Sequence, residues 1–275
     1  MPPLGFALLG VAVRVATSAP AVRARLVACY GDAEIGRADP TGTPIEATVE
    51  PHAGGFVITV ADRPTADAPD LIAAVRAFHH ELLHAVMLRR PRLLFVHAGV
   101  VARDGRAIVL PGLSRAGKST LVLALLRAGA QLLSDELLAY DPATARLLPF
   151  ARAVKVRDEC VGYFPDVAAA FVGAGEGRFL PLPALGAEGI AASARAGVLA
   201  APQWAATGDG APRPITAGAG LLHLARSTLN FGSQRERSID HLAALAGASA
   251  CFELAWREPH AAAAALLRCL DQCPA

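Results

Sequence analysis

The sequence predicts an α/β fold with a β-rich N-terminal part. Three observations lead there. A glycine-rich loop at 112–117 lies between an apolar run at 106–110 and a longer one at 121–128. Short apolar runs broken by Gly, Pro and Asp occupy the first 61 residues, the pattern of strands. An apolar period of three to four then runs over 68–89, the pattern of a helix.

Strands are expected at 4–15, 24–30, 45–50 and 56–61. In the helix at 68–89, Leu71, Val75, Phe78, Leu82 and Val86 recur on one face, and Pro91 closes it. A strand follows at 93–102. Asp104-Gly105 then signals a hairpin turn into a short buried strand at 106–110. The helix at 121–128 is apolar on most sides, hence buried, and Gly129 ends it. Residues 131–136 form a short strand that finishes in two carboxylates. Asp141-Pro142 marks a turn, and one or two strands fall within 146–157. The stretch 161–212 carries Gly173, Gly175, Gly177, Pro181 and Pro183 and reads as loops and short helices. Helices are expected at 218–230, 239–247 and 259–270. No internal repeat is visible. The division falls near Pro91: a β-rich region with a C-terminal helix over 1–91, and the loop-bearing domain over 92–275.

Gly112-Leu113-Ser114-Arg115-Ala116-Gly117-Lys118-Ser119 fits the phosphate-binding pattern G-x-x-x-x-G-K-[ST] at every fixed position. The two glycines let successive backbone N–H groups turn inward as an anion nest. The following helix points its positive end at the same place. Lys118 adds a full charge for the outer phosphates, and the Ser119 hydroxyl suits a metal ion. Gly112, Ser114, Arg115, Ala116, Gly117, Lys118, Ser119 and Thr120 are the candidate nucleotide ligands, for ATP with magnesium.

Composition narrows the rest. Apolar residues make up 53% of 275, enough for a large core, and mean hydropathy is +0.39. No stretch of about 18 apolar residues runs free of charge, Pro and Gly, so a membrane span is not expected. The first 13 residues are apolar without a basic start, and Arg14 follows at once. A strand is expected there rather than a signal peptide. A nucleotide site also points to the cytoplasm. A net charge of +2 makes no electrostatic case for nucleic acid. Cys29, Cys160, Cys251, Cys269 and Cys273 are odd in number and irregular in spacing, and are read as reduced thiols.

Asp135 and Glu136 end the strand after the loop helix. An acid there lies beside the phosphate loop, where it can hold Mg²⁺ or take a proton from an attacking hydroxyl. Ser119, Asp135 and Glu136 are the candidate metal ligands, and Lys118 and Asp135 the candidate catalytic groups. His97 sits in an apolar strand, where a histidine alone is usually a core residue. His80-Glu81-Leu82-Leu83-His84 fits the zinc-protease pattern H-E-x-x-H. A third ligand is missing: Met87 and Arg90 stand where the longer motif needs Gly and His, so the match is read as accidental.

With these residues in place, Phe95–Glu136 resembles the HPr kinase/phosphorylase group and its related serine kinases. The landmarks are His97, the phosphate loop 112–120, and Ser134-Asp135-Glu136. Between them, 21 residues run from His97 to Lys118 and 17 from Lys118 to Asp135. The resemblance implies a phosphate-loop domain of HPr kinase type. Lys118 and the loop would bind the triphosphate, Ser119 would assist Mg²⁺, Asp135 would be the base toward a substrate serine, and His97 would line the site. It extends faintly to 214–230, ending at Asn230. The chain departs from the group in Arg115 at a usually small position, Glu136 for a second aspartate, no Glu-x-Arg-Gly signature, and Gly218-Ala219 where a glycine and an arginine are usual. The N-terminal part is more like that of related kinases whose substrates include a serine of a ribosomal precursor peptide. The implied partner is thus a peptide or small protein carrying a serine, with no nucleic acid and no membrane. The oligomeric state stays open, a homo-oligomer included. The rival reading is a nucleotide-binding regulator or scaffold that passes no phosphate on.

Overall fold

The computed structural model describes residues 2–31, 42–61, 63–173, 178–185, 189–234 and 236–273. Gly175 and Gly177, within the stretch expected as loops, lie outside them. The fold is mixed α/β with several sheets.

The run expected as one strand at 4–15 is a hairpin of β1 (Leu4–Leu8) and β2 (Val11–Ala16), turned at Leu9 and Gly10. Helix α1 (Pro20–Tyr30) replaces the strand expected over 24–30. Pro20 opens it, where a missing N–H costs nothing, and Val22, Leu26, Cys29 and Tyr30 are its buried residues. A short apolar run suits either element, and here the helical spacing prevails. β3 (Ile45–His52) and β4 (Gly55–Val60) match expectation, and β5 (Arg63–Ala68) extends their sheet. Helix α2 (Leu71–Arg89) is capped by Asp70, whose carboxylate accepts from the Ala73 N–H at 2.8 Å. By length and composition alone α2 could cross a bilayer. It instead packs on β4, with Phe78, Leu82 and Val86 fully buried against Phe6, Val13, Ile45 and Ile58.

β6 (Leu94–Arg103) and β7 (Arg106–Pro111) form the expected hairpin, with Asp104 and Gly105 both at positive φ. Helix α3 (Lys118–Arg127) follows the loop. β8 (Gln131–Ser134), β9 (Leu137–Asp141), β10 (Arg146–Leu148) and β11 (Val154–Val156) come next, then β12 (Arg178–Leu180), amid short 3₁₀ turns. The expectation of loops to 212 is corrected by β13 (Arg195–Trp204), a ten-residue strand between β7 and a later strand. Its Ala, Gly and Pro have low strand propensity. Only its neighbours make it a strand, Gly197 lying where a side chain would meet Leu270. β14 (Arg213–Pro214), α4 (Ala217–Ser227), α5 (Phe231–Gln234), α6 (Glu236–Gly247), β15 (Ala250–Trp256) and α7 (Pro259–Gln272) complete the chain.

Among the described residues the larger sheet has the order β10-β9-β6-β7-β13-β15-β14, with β8 also on β6. β7, β13 and β15 are parallel, and β8, antiparallel to β6, runs the same way. Alternation along β7 sends Ile108 and Leu110 to a core with α3 and α7, and Ala107 and Val109 to one with α4 and α6. Four chain directions therefore end at one edge of the sheet: Pro111, Ser134, Trp204 and Trp256. Ligands bind at such carboxyl edges in open α/β sheets. Asn230 pins the start of β6, accepting from the Phe95 N–H and donating to the Leu93 carbonyl, each at 2.9 Å.

The first core reaches into the larger sheet, for Phe95, Leu137 and Phe150 belong to it. Phe78→Ala should therefore cost about 3–5 kcal/mol in urea unfolding, and Phe78→Leu should recover most of that loss.

Candidate active site

The glycine-bearing loop 112–117 connects the end of β7 to the first turn of α3. Gly117 has φ 85°, and a Cβ there would sit 2.1 Å from Trp256 Cζ2, so both conformation and space require glycine. No side chain caps α3, which leaves its first amides facing the loop. Ala116 N–H turns back to the Leu113 carbonyl at 3.3 Å. Arg115 also has positive φ, 72°, and is exposed together with Ser114. Lys118 is buried and folds onto its own loop, donating to the carbonyls of Gly112 at 2.7 Å and Leu113 at 2.8 Å. Burial pushes its ammonium down from the usual lysine range, while Asp135 and Glu136 oppose that. Thr120 is buried behind it, and Ser119 is half-buried beside Asp135.

The acidic pair is set by Ser134, whose hydroxyl accepts from the N–H groups of Glu136 at 3.2 Å and Leu137 at 2.8 Å. That turn lets β8 stop and β9 begin with both carboxylates at the loop edge. Their surroundings divide them. Asp135 is buried; its Oδ2 accepts from the Lys155 N–H at 2.9 Å, and its Oδ1 has no partner. Desolvation raises its pKa to about 6 against the pull of Arg152, the Lys155 amide and the Ser119 hydroxyl. Glu136 is opposed by burial too, but Arg152 and His79 outweigh that and hold its carboxyl far below the usual range.

Arg152 donates to Glu136 Oε2, and His79 Nε2 reaches the same oxygen at 2.6 Å. The other ring nitrogen of His79 meets the Tyr30 hydroxyl. Burial and Arg152 lower the His79 pKa, so the ring is neutral, accepting from Tyr30 and donating to Glu136. Arg152 is held in place by its neighbours: Phe150 N–H bonds the Leu133 carbonyl at 2.9 Å, and Ala153 N–H bonds Cys29 at 2.7 Å. His97 Nδ1 lies 3.1 Å from the Glu136 carbonyl, which can only accept, so that nitrogen carries the proton. Desolvation, then Lys118, lowers the His97 pKa.

Apart from Ser134, His79 and Tyr30, the charged and polar side chains above line one cleft of about 850 Å³. It brings together His97, Ser114, Arg115, Gly117, Lys118, Ser119, Thr120, Asp135 and Glu136. Gly112 lies under Lys118, and Ala116 in the loop, without lining the cleft. Among the described residues, the buried side-chain nitrogens and oxygens without a partner are Asp135 Oδ1, Arg152 Nε and Trp256 Nε1. All three residues line this cleft. A second chamber of about 210 Å³ opens beyond Glu136 and Arg152, walled by Arg25, Tyr30, His79, Lys155 and Phe179. Sequence reading missed Arg152, His79, Tyr30, Lys155 and both tryptophans. His79 directly precedes the H-E-x-x-H match, whose His80 and His84 are exposed on α2. Among the described residues no three His, Cys, Asp or Glu side chains converge as a metal site.

No family model matches the chain, and none of the curated proteins does. Among solved structures it is similar to that of the Hpr(Ser) kinase/phosphatase from Coxiella burnetii. Identity is 20%, the TM-score 0.27, and the match covers 40% of this chain and 65% of that one, under two thirds of its length. So distant a likeness carries no argument about the site.

Removing Glu136 leaves the Arg152 guanidinium buried with Asp135 as its remaining acid. Glu136→Gln should lower stability by about 3 kcal/mol in thermal or urea unfolding at pH 7. A wild-type midpoint would show that the pair contributes nothing to the fold.

Proposed function

We propose that the chain is an ATP- and Mg²⁺-dependent kinase that phosphorylates a serine hydroxyl of a peptide or small protein. One observation carries the reading: a buried carboxylate oxygen, Asp135 Oδ1, stands without a partner in the cleft that holds the phosphate loop. An unpartnered buried acceptor is costly, and a site that uses it explains its presence.

The donor set suits magnesium, which favours oxygen ligands and needs few from the protein when phosphates supply others. Ser119 Oγ and Asp135 Oδ1 would hold it, with Glu136 the further oxygen donor at the same edge. When bound, the ion would neutralise charge building on the transferring group. Lys118 would exchange its carbonyl partners for phosphate oxygens, which bind an ammonium more strongly. The loop amides and the open end of α3 would receive the remaining phosphate charge. Asp135 would take the serine proton as the serine oxygen bonds phosphorus and the bond to the leaving diphosphate breaks. Metal-free Asp135, with a pKa of about 6, is mostly ionised at neutral pH, the form that can receive a proton or an ion. Arg152 and His79 keep Glu136 charged, and His97 sits over the same cleft. On this reading residues 92–275 form the catalytic domain and 1–91 wall its acceptor side. The enzyme works in the cytoplasm on a protein partner, with neither nucleic acid nor membrane involved.

The regulator reading is favoured by Lys118 being tied to its own loop and by exposed Arg115 at positive φ. Incubation with γ-labelled ATP and serine peptides separates the two: label on serine supports the kinase, binding without turnover the regulator.

Lys118→Ala should abolish transfer and weaken ATP binding, read by calorimetry. Asp135→Asn should lower transfer 10²- to 10⁴-fold, as for lost general bases, with ATP still bound; near-normal turnover would refute the base.

Mg²⁺ affinity, read by calorimetry with ATP present, should climb as pH rises through about 6, where metal-free Asp135 ionises. Stability runs the other way. The folded pKa of Asp135 exceeds its unfolded value of 3.8, so its contribution is whole below that pH and is lost as pH rises through about 6. In metal-free buffer at pH 7, Asp135→Asn should thus be no less stable than wild type, and up to about 3 kcal/mol more so.

A further inference from the structure

The chain has two tryptophans, and both lie at the carboxyl edge that carries the phosphate loop. Trp204 ends β13 and Trp256 ends β15, and the two are direct partners in the parallel ladder. Partners in a parallel ladder share a face of the sheet, and here that face belongs to the cleft. Their environments differ sharply. Trp256 is 2% exposed and packs its Cε2–Cζ2 edge on Gly117, with its Nε1–H lacking an acceptor. Trp204 is 52% exposed in the wall of the same cleft.

Neither feature is explained by folding. An indole N–H buried without a partner costs free energy, and tryptophan normally finds an acceptor when buried. Here the indole edge next to that nitrogen lies against Gly117, at the uncapped start of α3. The half-exposed indole of Trp204, in the same cleft as the loop, is a wide π-face in water. Such a face stacks on nucleobases whatever their hydrogen-bonding pattern.

We infer that the tryptophan pair forms the nucleoside end of the cleft. Trp204 presents its face to a purine base, and Trp256 Nε1–H donates to an oxygen of the phosphate chain beside Gly117. This rests on the nucleotide reading above and adds what no sequence motif supplies, the means of holding the base. Stacking reads ring area, so ATP and GTP bind alike and pyrimidine nucleotides bind more weakly.

The test uses the full chain with Mg²⁺ and compares ATP, GTP, CTP and inorganic tripolyphosphate by calorimetry. Tryptophan fluorescence of the wild type gives a second readout. ATP and GTP should bind about tenfold tighter than tripolyphosphate, the scale of one base–aromatic stack. Trp204→Ala should remove that advantage and leave tripolyphosphate affinity unchanged, while Trp204→Phe should retain most of it. Trp256→Phe, which keeps a ring against Gly117 but lacks the N–H, should weaken ATP and tripolyphosphate together, several-fold. ATP binding unchanged in Trp204→Ala, or lost there in equal proportion with tripolyphosphate, would overturn the base platform. Unchanged binding in Trp256→Phe would overturn the donor assignment. If wild type binds tripolyphosphate but no nucleotide more tightly, the platform fails and the phosphate loop stands. If it binds none of the four, the nucleotide reading itself falls.

Discussion

A guanidinium buried between two carboxylates is the constraint on which the rest of the structure depends. Arg152 belongs to the segment joining β10 to β11, and it is held by backbone bonds to β8 on one side and α1 on the other. A buried charge has to be matched where it lies, because desolvation outweighs any loose pairing. Glu136 supplies the match, and His79 and Tyr30 complete the polar chain from α2 and α1. The first sheet and its helices are thus tied to the larger sheet by an electrostatic requirement as well as by the shared core around Phe95 and Leu137.

The same arrangement gives two adjacent acids opposite characters. Glu136 faces Arg152 and a neutral histidine that donates to it, so its charge is secured. Asp135, one residue earlier, is buried with the Lys155 amide on Oδ2, the Ser119 hydroxyl beside it, and no partner on Oδ1. Its proton is therefore held up to about pH 6. Pairs of carboxyl groups driven apart in pKa by their surroundings commonly divide the work of a site. Here the acid secured by Arg152 ties the architecture together, and its neighbour keeps an unpartnered oxygen facing the cleft. The cost in stability falls on Asp135, whose folded pKa stands above its unfolded value.

Much of this was legible in the chain. The hairpin at Asp104-Gly105, the loop at 112–117, α3 and the carboxylates after β8 follow from local signals: turn chemistry, glycine spacing and unbroken apolar runs. The helix α2 also follows, because its period extends over five turns and Pro91 stops it. The misreadings have local causes too. The apolar run in α1 is too short to separate helix from strand without weighing Pro20. Strand β13 is built from small residues and a proline, and becomes a strand only because β7 and β15 flank it.

Sequence by itself determined the loop at 112–117, the helix behind it and the acids that follow, since all are set by residues within about one turn or one strand of each other. It also determined that no hydrophobic run is free of charges long enough to demand a bilayer. Tertiary structure alone decided which residues face the loop from afar. Arg152, Lys155, Trp204 and Trp256 reach the cleft, and His79 and Tyr30 reach Glu136 from behind it, and no spacing in the chain announces a meeting made by strand order and core packing. It also decided the protonation behaviour of Asp135 and Glu136, because a pKa reports burial and neighbouring charge, and both are properties of the folded interior.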